Sequence, residues 1–206
     1  MIEMKEMDDR TVREVVVYDF DGTLTCGDSL PRFLRFAKGD GGYLAALVKT
    51  SPWLVLYKMG LYSNSKAKER LLGNCFRGWD AQDFANAARA FSLGEVQKML
   101  RPDIYESLRR NVAAGHRVYI VSASLRQWIE PWAKSQGVTG VLATEMEVGD
   151  NGRFTGRFAT PNCYGPEKAR RLLEAEPDRS SYRLTVYGDS RGDRELMALS
   201  DTAHEV

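Results

Sequence analysis

The feature that most constrains this chain is a short run at residues 14–20, Glu-Val-Val-Val-Tyr-Asp-Phe, leading directly into Asp21-Gly-Thr23. A row of β-branched residues suits an extended segment covered on both faces, so the run predicts a buried strand, and Gly22 permits the turn that ends it. Asp19 and Asp21 then stand at the mouth of an apolar strand. Two apart on a nearly extended chain, they are expected to point to one side. Carboxylates placed so repel each other unless a cation or a shared proton intervenes.

The pattern recurs. Residues 117–122 and 182–188 are further apolar runs ending in small or polar residues, with helical stretches after them at 125–136 and 193–199. Residues 102–114 form a good helix, with proline early and Gly115 at its end. Strands alternating with helices predict an α/β domain around a doubly wound, mainly parallel sheet. Two segments break the rhythm. Residues 29–95 carry helical patterns (30–38, 43–59, 66–76 and 81–91) and no convincing strand, so they are expected to form a helical cap inserted after the first strand. Residues 1–28 and 96–206 then make up the core domain. Residues 144–158 alternate around Asp150-Asn-Gly152, a hairpin signal. A last strand after Asp201 would be short or missing.

Composition narrows the partners. A chain of 206 residues with a net charge of +1 has no global field to hold nucleic acid or an anionic surface, and no dense Lys/Arg run supplies a local one. Cys26, Cys75 and Cys163 are odd in number and widely spaced, which suggests neither a zinc ribbon nor a disulfide framework. The polar start, residues 1–13, lacks the apolar core of a signal peptide. The most apolar stretch, residues 43–62, is interrupted by Lys49, Pro52, Lys58 and Gly60 and falls short of a membrane span. It reads as cap core, with a lipid phosphate as the substrate to consider should it prove exposed. No stable membrane insertion is expected, and a reduced, cytoplasmic protein is the default; the oligomeric state is not legible.

Ligands of an open α/β sheet sit beyond the carboxyl ends of its strands. There the sequence puts Asp19 and Asp21, then Ser122, then Lys168 at the opening of a later helix, then Asp189 and Asp193. An all-oxygen pocket of Asp19, Asp21 and Asp189 suits a hard ion such as Mg²⁺, which would also screen a carboxylate attacking a phosphate. Lys168 would add a point charge and Ser122 a hydrogen bond to phosphate oxygens. Asp21 could protonate the leaving alcohol and later activate water. Any one of these residues alone is ordinarily a cap, a turn or a surface charge. Their joint occurrence, in order, at successive strand ends is what points to a site.

Asp19-Phe-Asp-Gly-Thr23, Ser122 in Ile-Val-Ser-Ala-Ser, Lys168 and Gly188-Asp-Ser-Arg-Gly-Asp193 resemble the four motifs of the haloacid dehalogenase superfamily, over nearly the whole chain. The insert and residues 102–138 resemble its phosphoserine phosphatase branch. The resemblance implies a Rossmann-like core and a phosphomonoester hydrolase working through an aspartyl-phosphate. Asp19 would be nucleophile and metal ligand, and Asp21 acid/base with its backbone carbonyl on Mg²⁺. Asp189 would also bind the metal and Asp193 would support it. The phosphate would lie against Gly22, Thr23, Ser122, Ala123 and Lys168. Asp28 stands where phosphoserine phosphatases carry the Glu that meets the substrate ammonium, and Gly192 where they carry Asn. Asn162-Cys-Tyr-Gly-Pro-Glu-Lys168 and the apolar insert resemble a bacterial branch that includes phosphatidylglycerophosphate phosphatases. A small phosphate ester, phosphoserine-like, is the expected substrate and a lipid phosphate the alternative; Arg70, from the cluster Lys66, Lys68 and Arg70, is the expected substrate contact on the cap. Trp53 could line the entrance.

Other classes fit less well. Gly188-Asp-Ser-Arg-Gly192 matches a serine-hydrolase elbow, but the few residues after Gly192, with His204 among them, cannot return an acid and a histidine from new strands. A phospho-Asp signalling module shares clustered Asp, a hydroxyl and Lys, but lacks the Asp-x-Asp-Gly-Thr motif and so long a helical insert. A non-catalytic binding protein would have little reason to keep four unpaired carboxylates together.

Overall fold

The computed structural model describes residues 12–206, so most of the polar start lies outside the described residues. Strand β1 (Arg13–Tyr18) is followed by helices α1 (Ser29–Lys58), α2 (Asn64–Phe76) and α3 (Ala81–Gly94). Then come α4 (Pro102–Ala113), β2 (Arg117–Leu125), α5 (Arg126–Ser135), β3 (Gly140–Thr144), β4 (Met146–Val148) and β5 (Phe154–Phe158). Helix α6 (Pro166–Ala175), β6 (Tyr182–Gly188), α7 (Arg194–Ala198) and β7 (Thr202–Glu205) close the chain.

Five strands form one sheet in the order β3-β2-β1-β6-β7, every pair parallel. The connection from β1 runs outward through β2 to β3, then crosses back so that β6 lies on the other side of β1. That reversal is the switch point of a doubly wound sheet, where the carboxyl ends open a crevice. Strands β3 and β7 were not evident in the sequence. Gly140-Val-Leu-Ala-Thr144 is too short and mixed to stand out, and β7 is a polar, exposed edge. The expected hairpin is present as antiparallel β4–β5, a separate small sheet.

The two-residue period of a strand divides the core. Val15 and Val17 of β1 join Tyr119, Val121, Leu184, Val186, Leu172 and Leu196 on one face of the sheet. Val16 and Tyr18 join Val118, Ile120, Leu108, Ile129 and Trp132 on the other, and this cluster continues without a break into the insert. Phe33 of α1 has the rings of Phe76, Phe84, Phe91 and Trp128 around it at centroid distances of 4.6–5.8 Å. The insert thus shares its core with the α/β part.

Helix α1 begins at Asp28, whose carboxylate accepts a hydrogen bond from the Leu30 amide at 2.9 Å. It breaks at Gly39, where φ is 68°, and resumes past Pro52 as far as Lys58. Its first arm buries Ser29, Leu30, Phe33 and Leu34. Its second arm departs from the expectation of a cap core: among its large apolar residues Leu44, Val48, Val55, Leu56, Tyr57 and Met59 are exposed, as is Leu61 just beyond it. Only one side of that arm meets α2, so the other has nothing among the described residues to pack on.

Candidate active site

The carboxyl ends of β1, β2 and β6 open into a cavity of about 380 Å³ whose wall includes Asp19, Asp21, Ser122, Ala123, Lys168 and Asp189. β1 delivers Asp19 because its last backbone step is held in the sheet: the Asp19 amide donates to the Tyr187 carbonyl at 2.9 Å. Helix α6 delivers Lys168 from its first turn, fully buried. The Lys168 ammonium donates to Asp19 Oδ1 at 2.7 Å and to Asp193 Oδ1 at 2.6 Å. The other oxygen of Asp193 accepts from the amide and hydroxyl of Ser190, at 3.1 and 2.7 Å. Asp193 is therefore locked by a capping box at the turn after β6.

Gly22 and Gly192 make this packing possible. Gly22 has φ of 82°, and a Cβ there would lie 2.1 Å from Asp189 Oδ2, so the turn after β1 can press on Asp189 only without a side chain. A Cβ on Gly192 would lie 2.5 Å from the Tyr164 ring, which also borders the cavity. Thr23 is buried, its hydroxyl 3.4 Å from Asp189 Oδ1.

Asp19, Asp189 and Asp193 bring carboxylate oxygens within 4.8 Å of one another. The Asp21 carboxylate is engaged elsewhere, accepting from the Ser29 amide at 2.7 Å and from the Ser124 hydroxyl, an arrangement that leaves its backbone carbonyl as the contact with a cation that the family resemblance implies. β1 ends at Tyr18 and the chain turns at Phe20, between Asp19 and Asp21, so the strand geometry that would align them is already lost. Asp193, expected to stand behind the metal ligands, is one of the three clustered carboxylates.

Burial, opposed by Lys168 and aided by Asp193 and Asp21, pushes the Asp19 carboxyl up to about 7. Burial and then Asp28 raise Asp21, opposed by its bonds from Ser124 and Ser29. Burial alone would lower Lys168, but Asp19 and Asp193 outweigh it and hold the ammonium charged above its ordinary range. One ammonium does not balance three clustered carboxylates. The oxygen-only donor set and its surplus of negative charge fit a small divalent cation such as Mg²⁺.

On the insert side, Asn64 and Lys68 of α2 face Asp19 across the cavity. The Lys68 ammonium donates to the Ala123 carbonyl at 2.9 Å; burial lowers it, while Asp21 and Asp28 raise it. Arg70 is corrected: it lies outside the cavity, its guanidinium 4.0 Å from the Trp53 ring, and Trp53 is likewise absent from the cavity wall. The sequence held the distinction. Ala67, Leu71, Leu72, Cys75 and Phe76 are the buried positions of α2, so Lys68 falls beside the inward face and Lys66 and Arg70 on the outward one. Asp28 borders the cavity, with one oxygen engaged in capping α1. Ser122 accepts from the Ser124 amide at 3.0 Å. The serine-hydrolase reading finds no support, because the Ser190 hydroxyl binds Asp193 and His204 stacks on Tyr187 at 4.4 Å.

A family model of haloacid dehalogenase-like hydrolases matches residues 16–198. Protein CicA of Caulobacter vibrioides is 34% identical over 189 residues, spanning 91% of this chain and 83% of CicA. A Mycobacterium tuberculosis protein described as a probable phosphatase is 27% identical over 190 residues, spanning 90% of this chain and 66% of its own. A Bordetella pertussis structure of unknown function superposes with a TM-score of 0.79 at 25% identity, over 94% of this chain and 89% of that one. A probable phosphoserine phosphatase from Vibrio cholerae gives 0.68 at 14% identity over 93% and 57%, a likeness of fold. The chain belongs to the haloacid dehalogenase-like hydrolases.

Proposed function

We propose that this chain is a phosphatase that hydrolyses phosphomonoesters with Mg²⁺, with Asp19 as the nucleophile. The observation that carries the reading is the contrast between two carboxylates on one cavity wall. Asp19 is held by an ammonium and Asp21 by neutral donors, so their chemistry is set apart. Asp19 attacks phosphorus and forms an aspartyl-phosphate as the ester oxygen departs. Asp21, with its carboxyl raised by burial, gives that oxygen a proton; as a carboxylate it then draws a proton from the water that opens the acyl-phosphate, and Asp19 is restored. Lys168 and Ser122 hold phosphate oxygens, with the Gly22, Thr23 and Ala123 backbone beside them. A divalent cation on Asp19 and Asp189 would keep Asp19 ionised and screen its approach to the phosphate. Residues 29–95 serve as the cap, with Asn64 and Lys68 closing over the strand ends and excluding bulk water.

Two substrate classes fit this chemistry. A small phosphoserine-like ester would set an ammonium against Asp28 and a carboxylate against Lys68. A lipid phosphomonoester is the second reading, favoured by the exposed apolar arm of α1. Asp19→Asn should abolish release of phosphate from p-nitrophenyl phosphate with Mg²⁺, and chelation should silence the parent protein. Near-normal turnover by Asp19→Ala would overturn the mechanism. A phospho-Asp that persists with little turnover would instead favour the signalling class.

A further inference from the structure

The second arm of α1 carries one continuous apolar stripe. At about 3.6 residues per turn, Leu44, Val48, Val55 and Met59 fall on one side of the helix, with Lys49 and Lys58 flanking it. Val48 is 63% exposed, Val55 56%, Met59 64% and Leu61, in the turn that follows, 69%. Single exposed apolar residues are ordinary, but an aligned series marks a surface that something covers.

Charge says what covers it. Residues 41–65 contain Lys49 and Lys58 and neither Asp nor Glu. Folding adds a further set of cations that no run in the sequence discloses. Lys66, Arg70, Arg77 and Arg157 surround a cleft of about 550 Å³ on the outward side of α2, and Tyr62 borders it at the end of the apolar turn. The one acid on its wall, Glu69, accepts the Phe158 amide at 2.7 Å. An apolar ridge flanked by Lys49 and Lys58 and leading through Leu61 to Tyr62 at the basic cleft matches an anionic bilayer, whose acyl boundary takes the ridge and whose headgroups take the cations. No helix of the described residues is long and apolar enough to cross a membrane, so the arm would lie on the surface. Asn64, on the wall of the catalytic cavity, is three residues beyond Leu61.

We propose that residues 44–62 dock this chain on an anionic lipid surface, so that a phosphomonoester borne by that surface meets Asp19 from the Asn64 side. The substrate half of this inference rests on the phosphatase reading above, whereas the docking half stands without it.

The test separates the two. Cosedimentation is measured with vesicles of equal parts phosphatidylcholine and phosphatidylglycerol, and with vesicles of phosphatidylcholine alone, for the full chain and for Asp19→Asn. Both proteins should bind the anionic vesicles, and Val55→Glu with Met59→Glu should weaken binding roughly tenfold or more while turnover of p-nitrophenyl phosphate in solution stays at the parent level. Should that pair fold poorly, Lys49→Gln with Lys58→Gln should lower binding by about fivefold for each lysine that reaches the surface. Equal binding to both vesicle types, or none to either, overturns the proposal. So does a dimer in sedimentation velocity that Met59→Glu dissolves while vesicles go unbound, because the stripe then faces a second copy. Docking without any phosphatase activity would keep the surface and discard the catalytic reading.

Discussion

Lys168→Met removes the ammonium that touches both Asp19 and Asp193 while nearly preserving the volume of the buried chain. Deleting one partner of a buried ion pair costs about 3–5 kcal/mol, because the charge left behind has lost both water and its counterion. For a chain of this length each kcal/mol shifts Tm by about 2–4 °C. The expected fall is therefore roughly 6–20 °C at about pH 8.5 in chelator, measured by scanning calorimetry. The pH dependence separates charge from shape. Asp19 titrates at about 7 in the folded parent even with Lys168 lowering it, so the variant carboxyl must hold its proton to a higher pH still. A carboxyl whose folded pKa is raised costs the fold stability progressively as pH rises from the unfolded value, near 4, through the folded one. The gap between variant and parent should thus narrow on going to about pH 5.5, where Asp19 is protonated in both. A gap that stays constant over that range would refute the account and assign the loss to packing.

Two further outcomes are expected. Gly22→Ala should cost about 1–2 kcal/mol for its left-handed backbone, yet weaken Mg²⁺ binding in calorimetric titration far more than that suggests, because Asp189 Oδ2 must leave a Cβ placed 2.1 Å away; parent-like affinity would contradict the assignment of Asp189. Lys68→Met should raise KM for a phosphoester roughly tenfold or more through loss of a charged donor in the cavity, and a change in kcat alone would place Lys68 outside substrate binding.

The catalytic strands were legible because burial on both faces demands the β-branched runs that precede Asp19, Ser122 and Asp189. The helices of the insert were legible from their periodicity, which put 30–38, 43–59, 66–76 and 81–91 inside or close to the observed α1, α2 and α3, though α1 unites the first two. What the sequence hid depends on three-dimensional neighbours. The direction of the Asp21 carboxylate follows from Ser29 and Ser124, which approach it only after α1 and the end of β2 pack together. The basic cleft joins α2 to β5, two segments about eighty residues apart, so no local count of charges reveals it. The apolar residues of the second arm of α1 carried a signal that fits core and surface equally, since composition records what a helix prefers and not whether a partner exists.

The break at Gly39 divides the labour of one long helix. Before it, Ser29 ties the backbone to Asp21, and its hydroxyl receives the Trp128 indole N–H at 3.1 Å, so that portion cannot shift without disturbing the reacting groups. After it, the helix buries Ala46 and Thr50 on one side and leaves Leu44, Val48 and Val55 exposed on the other, where a substitution disturbs no packing among the described residues. Mutation can therefore redecorate the outer portion and send the enzyme to new surroundings, while the inner portion keeps its chemistry fixed.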